Sequence, residues 1–297
     1  MFSKYEKIFQ QNEEIASASN NRVGTKLFYR GQACAGWRLE PNVFRNGLLK
    51  YEHYLIKEMR QKNTDAFRGM DKLDSLMIMQ HYGLPTRLLD VTMNPLVALF
   101  FACREKHDKD GRIFTFCDHL SGRGNFIVEC MVALAEYKGS SYKELCDFLT
   151  QFQCDSASSI EIETIYSLIA GPYAYLPIEV SANNERNERM QQQEGAFVIF
   201  GLNDSGEGTK PYLKAEFCSL EPFVKNVADQ LGIQTSILIP KDEKEELFKE
   251  LDTKGINEQH LFPPDDPKHS ELECQATCIK KKYEAQARSS PKRCCDG

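Results

Sequence analysis

The 297-residue chain has 41% hydrophobic and 27% charged residues and a formal net charge of −6, a composition that builds a sizeable core in one or two domains. The acidic balance argues against a general nucleic-acid binder, while leaving room for a local basic cleft that holds an anion. No stretch approaches the roughly 18 apolar residues of a membrane span, and the start, MFSKYEKIFQQNEE, has no apolar core followed by a small-residue cleavage site; the expectation is a soluble, cytoplasmic protein with no membrane partner.

Residues 5–20 read as a leader helix inside an N-terminal segment, 1–24. KLFYRG (26–31) follows as a short strand that delivers Arg30 to an edge beside Gly31. Over 48–62, Leu48, Tyr51, Leu55 and Met59 recur at spacings of three and four, the period of an amphipathic helix. A second helix fits 73–82, stopped by Gly83 and Pro85. The strand-like run TRLLDVT (86–92) then leads into NPLVALFFAC, where Asn94 suits a helix cap and Pro95 the first helical turn.

GRIFTFC (111–117) reads as a strand, 125–136 as strand or helix, and 139–153 and 158–170 as helices. A strand near 176–180, a polar helix from Asn183 to Gln193 and the strand GAFVIFG (195–201) continue the chain. They are followed by the segment YLKAEFC (212–218), a helix at 221–231, a strand at 235–240 and a polar helix at 241–254 closed by Gly255 as a left-handed cap. This order defines an α+β (mixed α/β) fold, a central mixed β-sheet flanked by helices.

Cys103, Cys117 and Cys130 sit in apolar runs and read as buried free thiols. The tail, 267–297, is polar and Cys-rich with no periodic apolar face, which predicts an exposed, dispensable end. Its Cys274, Cys278, Cys294 and Cys295 lack a paired CxxC framework, so no metal is expected. There is no GxxxxGK[ST], GxSxG, HExxH or EF-hand loop, which removes four common enzyme classes.

What remains is a set of polar residues at special places. Arg30 either forks two N–H bonds onto a phosphate or carboxylate or closes the sheet edge as a salt bridge. Gly31 allows a ligand or another backbone to come close. His81, Tyr82, Thr86, Arg87, Asp90 and Thr92 crowd one turn and one strand. Alternation places Asp90 and Arg87 on opposite faces, so they need different partners; Asp90 either caps the following helix, bridges Arg87 or serves a site. Arg189, Gln193 and Glu194 end a polar helix directly before an apolar strand, a common place for functional side chains and equally for a solvated helix.

These residues carry a resemblance to the FRG domain family, named for an aromatic-Arg-Gly signature, here Phe28-Tyr29-Arg30-Gly31. The similarity runs through HYGLPTRLLDVTMNPLVALFFA, the Arg189-Met190-x-x-Gln193-x-Gly195-x-Phe197 segment and a late Gly255-Ile256 and Leu261-Phe262-Pro263 pattern, and assigns 25–266 to the domain. It implies a module of prokaryotic proteins linked to phage defence or toxin-like activity. The layout also resembles the ADP-ribosyltransferase plan, which implies NAD as substrate and transfer or hydrolysis at the nicotinamide–ribose bond. In that reading Arg30, His81, Gln193 and Glu194 are catalytic, and Tyr29, Gly31, Tyr82, Thr86, Arg87, Asp90 and Arg189 bind ligand. Arg30 clamps the pyrophosphate, Tyr82 stacks the nicotinamide, and Gln193 or Glu194 holds ribose. Gln193 stands where the plan carries a carboxylate. The alternatives are a non-catalytic nucleotide- or peptide-binding sensor and a module whose signature residues only lock the fold.

Overall fold

Alternating side chains along Thr25–Gln32 and Gly111–His119 send aromatic and aliphatic groups to both sides of the backbone, so these strands lie buried between two helical layers. A computed structural model describes residues 2–18, 25–122, 124–139, 142–156, 160–170, 175–178, 188–202, 233–263 and 267–289. Its six strands are β1 (Thr25–Gln32), β2 (Leu88–Thr92), β3 (Gly111–His119), β4 (Tyr175–Ile178), β5 (Gly195–Phe200) and β6 (Ser236–Ile239). They lie in the order β4-β5-β2-β1-β3-β6.

The fold is α+β, and among the described residues every pairing between neighbouring strands is antiparallel, with parallel pairing confined to a Ser121↔Ile178 bridge. The expected mixed sheet is antiparallel because two helices, α2 (Glu52–Lys62) and α3 (Lys72–His81), intervene between β1 and β2. The chain thus returns from the opposite end. β2, α4 (Pro95–Cys103) and β3 then form a crossover unit, and α4 lies across β1, the strand between them.

Phe28 packs on the side of α2, α3, α5 (Phe126–Leu134) and α7 (Ile162–Ala170), in a core with Leu55, Met79, Phe116 and Phe197. Tyr29 packs on the opposite side with Phe9 of α1 (Phe2–Ala18), Phe100 of α4, and Leu247 of α9 (Lys244–Thr253). Asn94 Oδ1 accepts from the Leu96 N–H at 2.9 Å, capping α4 with Pro95 in its first turn. The ambiguous segment at 125–136 is helix α5, whose cap Asn125 accepts from Ile127 N–H at 2.9 Å. Gly255 follows α9 with φ +80° and turns the chain, with the Ile256 N–H bonded to the Leu251 carbonyl at 3.0 Å. The remaining helices are α6 (Tyr142–Ser156), α8 (Glu188–Gln192), α10 (Glu258–Leu261) and α11 (Pro267–Ser289). The segments at 212–218 and 221–231 lie outside the described residues, as do 183–187 of the expected polar helix.

The tail departs from expectation. Residues 267–289 form α11, and Leu272, Ala276, Ile279 and Tyr283, spaced by four, three and four, are buried as one helical face. Tyr283 meets the Tyr51 ring at 5.4 Å and gives its hydroxyl to Glu58 at 3.1 Å. The apolar stripe is inconspicuous in the sequence because polar and charged residues fill most of the other positions. Cys103, Cys117 and Cys130 are buried free thiols, and burial raises the Cys103 and Cys130 thiols to about 12. Among the described residues, no helix is long and apolar enough to cross a membrane.

Candidate ligand-binding site

β1 pairs with β3 from Thr25 through Gln32, but its register with β2 is Tyr29↔Thr92. Beyond that pair the residues after Tyr29 face the residues before Thr92 without a ladder, and a cavity of about 730 Å³ opens there. Arg30, Gly31, Gln32, Asp90 and Val91 line it. The main chain of β2 explains how the gap is tolerated. Met93 N–H bonds to Glu194 and Phe200 N–H to the Arg87 carbonyl, so residues 87, 89, 91 and 93 direct their polar groups to β5 and Asp90 directs its own toward β1. Arg30 Nη1 takes the Asp90 carbonyl at 2.7 Å, supplying the donor the missing ladder does not.

The same guanidinium lies 3.6 Å from the Asp90 carboxylate, whose side chain is half exposed. Gln80 Nε2 donates to Asp90 Oδ2 at 2.8 Å, and the Thr86 hydroxyl donates to Gln80 Oε1 at 2.9 Å. A three-residue chain therefore aims the Asp90 carboxylate into the cavity. Arg45 lines the same wall, bonded to the carbonyl of Arg38 at 2.8 Å and 3.8 Å from the Glu40 carboxylate. Burial lowers the Arg30 pKa, Asp90 opposes that shift, and the charge of Arg45 adds to it. An anion bound beside both arginines would relieve their repulsion.

Arg189, Met190 and Gln193 also line the cavity. Gln193 Nε2 donates to the Leu261 carbonyl at 3.0 Å. The Phe262 ring lies 4.4 Å from the Arg189 guanidinium and 4.2 Å from that of Arg104, which also binds Glu258 at 2.6 Å. The late Leu261-Phe262-Pro263 pattern thus fastens α8 and the end of α4 to one cavity wall. Glu273 and Lys280 of α11 complete the lining. In all, Arg30, Arg45, Arg104, Arg189 and Lys280 face the cavity against Asp90, Glu105 and Glu273, a cationic surplus in a chain of net charge −6.

Tyr29, Arg30, Gly31, His81, Asp90, Arg189 and Gln193 therefore share one cavity although they come from four separate segments. Four other candidates do not line it. Arg87 is buried, forks onto Glu52 through Nε (3.0 Å) and Nη2, and donates to the Phe200 carbonyl at 3.0 Å. It ties α2 to β5 and does not line the cavity. Thr86 is buried on Gln80 and the Leu88 N–H. Tyr82 belongs to the α2–α3 core and offers no stacking face. Glu194, at φ +44°, turns its carboxylate to Asn94 at 2.7 Å, at the tight turn between α8 and β5, which directs it away from the catalytic position expected for it.

Gly31 answers to packing as well. A Cβ there would stand 1.8 Å from the Ala98 carbonyl oxygen, so the close approach it permits is that of the α4 backbone. Sequence reasoning missed Gln80, Trp37 and Arg45. Gln80 had a signal, a lone amide inside the otherwise apolar LMIMQ turn; the other two are loop residues with none. Among the described residues, no three His, Cys, Asp or Glu side chains gather to hold a metal ion. Cys274 and Cys278 are exposed on α11, and Cys294 and Cys295 lie outside the described residues.

Fold and cavity together define an α+β protein with a cationic pocket opened between two strands of an antiparallel sheet. Residues 25–111 match the family model of the FRG domain. The match runs from the start of β1 to the first residue of β3, and contains Arg30, His81 and Asp90 but not Arg189 or Gln193. No curated protein and no solved structure matches the chain.

Proposed function

We propose that the cavity binds a phosphate-bearing nucleotide and that the protein is an NAD-consuming enzyme, cleaving the nicotinamide–ribose bond with transfer of ADP-ribose or its release to water. The observation that carries the reading is the cationic surplus that β1, the loop after it, the end of α4, α8 and α11 bring to one cavity in an acidic chain; convergence of cations from separated elements is how an anion site is built.

In this reading Arg30 and Arg45 hold the pyrophosphate. The C1′–N bond breaks with its electron pair leaving on nicotinamide, and positive charge develops on the ribose. Gln193 is neutral and Glu194 is turned to Asn94; of the lining carboxylates Asp90, Glu105 and Glu273, this reading gives that charge to Asp90, which Gln80 and Arg30 hold in place beside the pyrophosphate clamp. Water or an acceptor nucleophile then adds at C1′ and gives up a proton, for which His81 is the cavity base. Depletion of NAD in a cytoplasm would be toxin-like, the setting of prokaryotic phage defence.

The absence of Glu194 from the cavity favours a second reading, a sensor that binds the nucleotide without turnover. Incubation with NAD while free nicotinamide and the melting temperature are followed separates the two. The enzyme reading expects nicotinamide release that Asp90→Asn and Arg30→Lys abolish. A rise in melting temperature with no nicotinamide supports the sensor, and neither change overturns both.

A further inference from the structure

The chain has one tryptophan, Trp37, and it is 37% exposed on the cavity wall. Among the described residues most Phe and Tyr side chains are buried, and an indole on a polar wall offers a partner an apolar face together with an N–H donor. The loop that carries it is fastened on both sides. Before Trp37, the buried Lys244 ammonium donates to the Ala33 carbonyl at 2.7 Å and to those of Glu105 and Lys106 at 3.1 Å, and Ala35 N–H bonds to Asp110 at 2.7 Å. After it, the Arg38 carbonyl accepts from Gln32 at 3.3 Å and from Arg45 at 2.8 Å, and Leu39 is fully buried. Arg45, the same residue that lines the anion wall, therefore also sets the position of the Trp37 loop. Ring and cation are preorganised relative to each other, which lowers the ordering cost of binding a ligand that uses both.

We propose that Trp37 is the stacking surface for the flat heterocycle of the ligand, so that the cavity selects a nucleotide with its base over a bare sugar phosphate. This rests on the nucleotide reading above and replaces Tyr82, which is in the core, as the aromatic platform. Stacking of a base on an aromatic side chain corresponds to roughly 5- to 150-fold in affinity.

Two probes separate the ring from the anion: AMP and ribose 5-phosphate share the phosphate and sugar and differ in the base. With a single indole in the chain, its fluorescence reports on the cavity directly, and calorimetry gives the affinities. The expected result is that AMP quenches Trp37 and binds about 5- to 150-fold more tightly than ribose 5-phosphate, that Trp37→Ala brings AMP down to the affinity of ribose 5-phosphate, and that Trp37→Phe recovers part of the difference. Residual binding of ribose 5-phosphate by Trp37→Ala certifies that the variant is folded. Equal binding of the two probes by the unaltered protein, or an AMP preference that survives Trp37→Ala, overturns the role of Trp37 and leaves the anion site standing. Binding of neither probe overturns the nucleotide reading with it.

Discussion

The guanidinium of Arg30 sits 2.7 Å from the main-chain oxygen of Asp90 and 3.6 Å from its carboxylate, so one side chain bridges the parted strands and faces the cavity at once. The two roles respond differently to substitution. Arg30→Ala leaves the Asp90 carbonyl without a donor and is expected to cost about 1–3 kcal/mol of stability, read by urea denaturation. Arg30→Lys keeps a charge and one donor, and is expected to hold most of that stability while losing nucleotide binding, since an ammonium cannot fork onto phosphate. Full binding by Arg30→Lys would remove Arg30 from the clamp.

Arg87 behaves in the opposite way. Its partner Glu52 is buried, and burial raises that carboxyl's pKa against the pull of Arg87. Arg87→Met leaves the carboxylate uncompensated and is expected to destabilise the fold by about 3–5 kcal/mol. At a temperature where the variant is folded, its nucleotide affinity should equal that of the unaltered protein. A stable Arg87→Met that fails to bind would return Arg87 to the site.

Gly31→Ala tests how tightly α4 lies on β1. The added methyl would meet the Ala98 carbonyl at 1.8 Å and the Ala102 nitrogen at 3.0 Å, both backbone atoms of the helix. No rotamer relieves such a contact, so the helix must shift, and a loss of about 1–3 kcal/mol or more is expected in urea denaturation. An unchanged unfolding midpoint would mean that α4 rides higher on the sheet.

How far the sequence discloses this architecture depends on the range of each interaction. β1, β2 and α4 are legible because alternation, the Asn94-Pro95 cap and the Gly83 and Pro85 stop are local signals. The opposite faces of Asp90 and Arg87 follow from the two-residue period, and they do take different partners, Gln80 and Glu52. Which partners these are is not local: Glu52 is 35 residues from Arg87, and only the packing of α2 on the sheet brings them together. For the same reason the cluster of polar residues at 81–90 splits into cavity-lining His81 and Asp90 and inward-facing Tyr82, Thr86 and Arg87. Trp37 and Arg45 gain their meaning from the fixing of their loop, to which the Lys244 ammonium contributes from 211 residues away. The stripe of α11 is four residues in a helix of 23, one of them alanine, too sparse for its period to stand out.

Because that stripe is buried, removal of the chain from 267 onward is expected to destabilise the rest. Leu272 and Ile279 alone contribute roughly 3–6 kcal/mol of transfer free energy, and the truncation also takes Glu273 and Lys280 from the cavity wall. Urea denaturation of a 1–266 variant measures the effect. A truncated protein as stable as the whole would show that α11 adds nothing to the fold.

The docking of α11 is also expected to be acid-sensitive, and the sign follows from Glu58. Burial pushes its carboxyl up, but hydrogen bonds from Lys282 at 2.6 Å and Tyr283 at 3.1 Å, both on α11, and from Lys62 of α2 outweigh this and hold its pKa below the ordinary carboxylate value. A carboxyl whose pKa is depressed on folding contributes its full stabilisation above the unfolded value of about 4.3 and loses it as the pH falls through the lower, folded value. The Glu58 side chain is 18% exposed but its partner Lys282 is 49% exposed, so salt screens part of the effect. Glu136, held down by Lys72 and Arg60 against its own burial, adds a second loss in the same direction elsewhere in the fold. Comparison of unfolding midpoints for the unaltered protein and Glu58→Gln at about pH 7, 5 and 3 isolates the α11 contribution. The variant is expected to be the less stable of the two at the two higher values and to converge with the unaltered protein at the lowest, and a difference between them that does not shrink with acid would rule out the Glu58 anchor as the source.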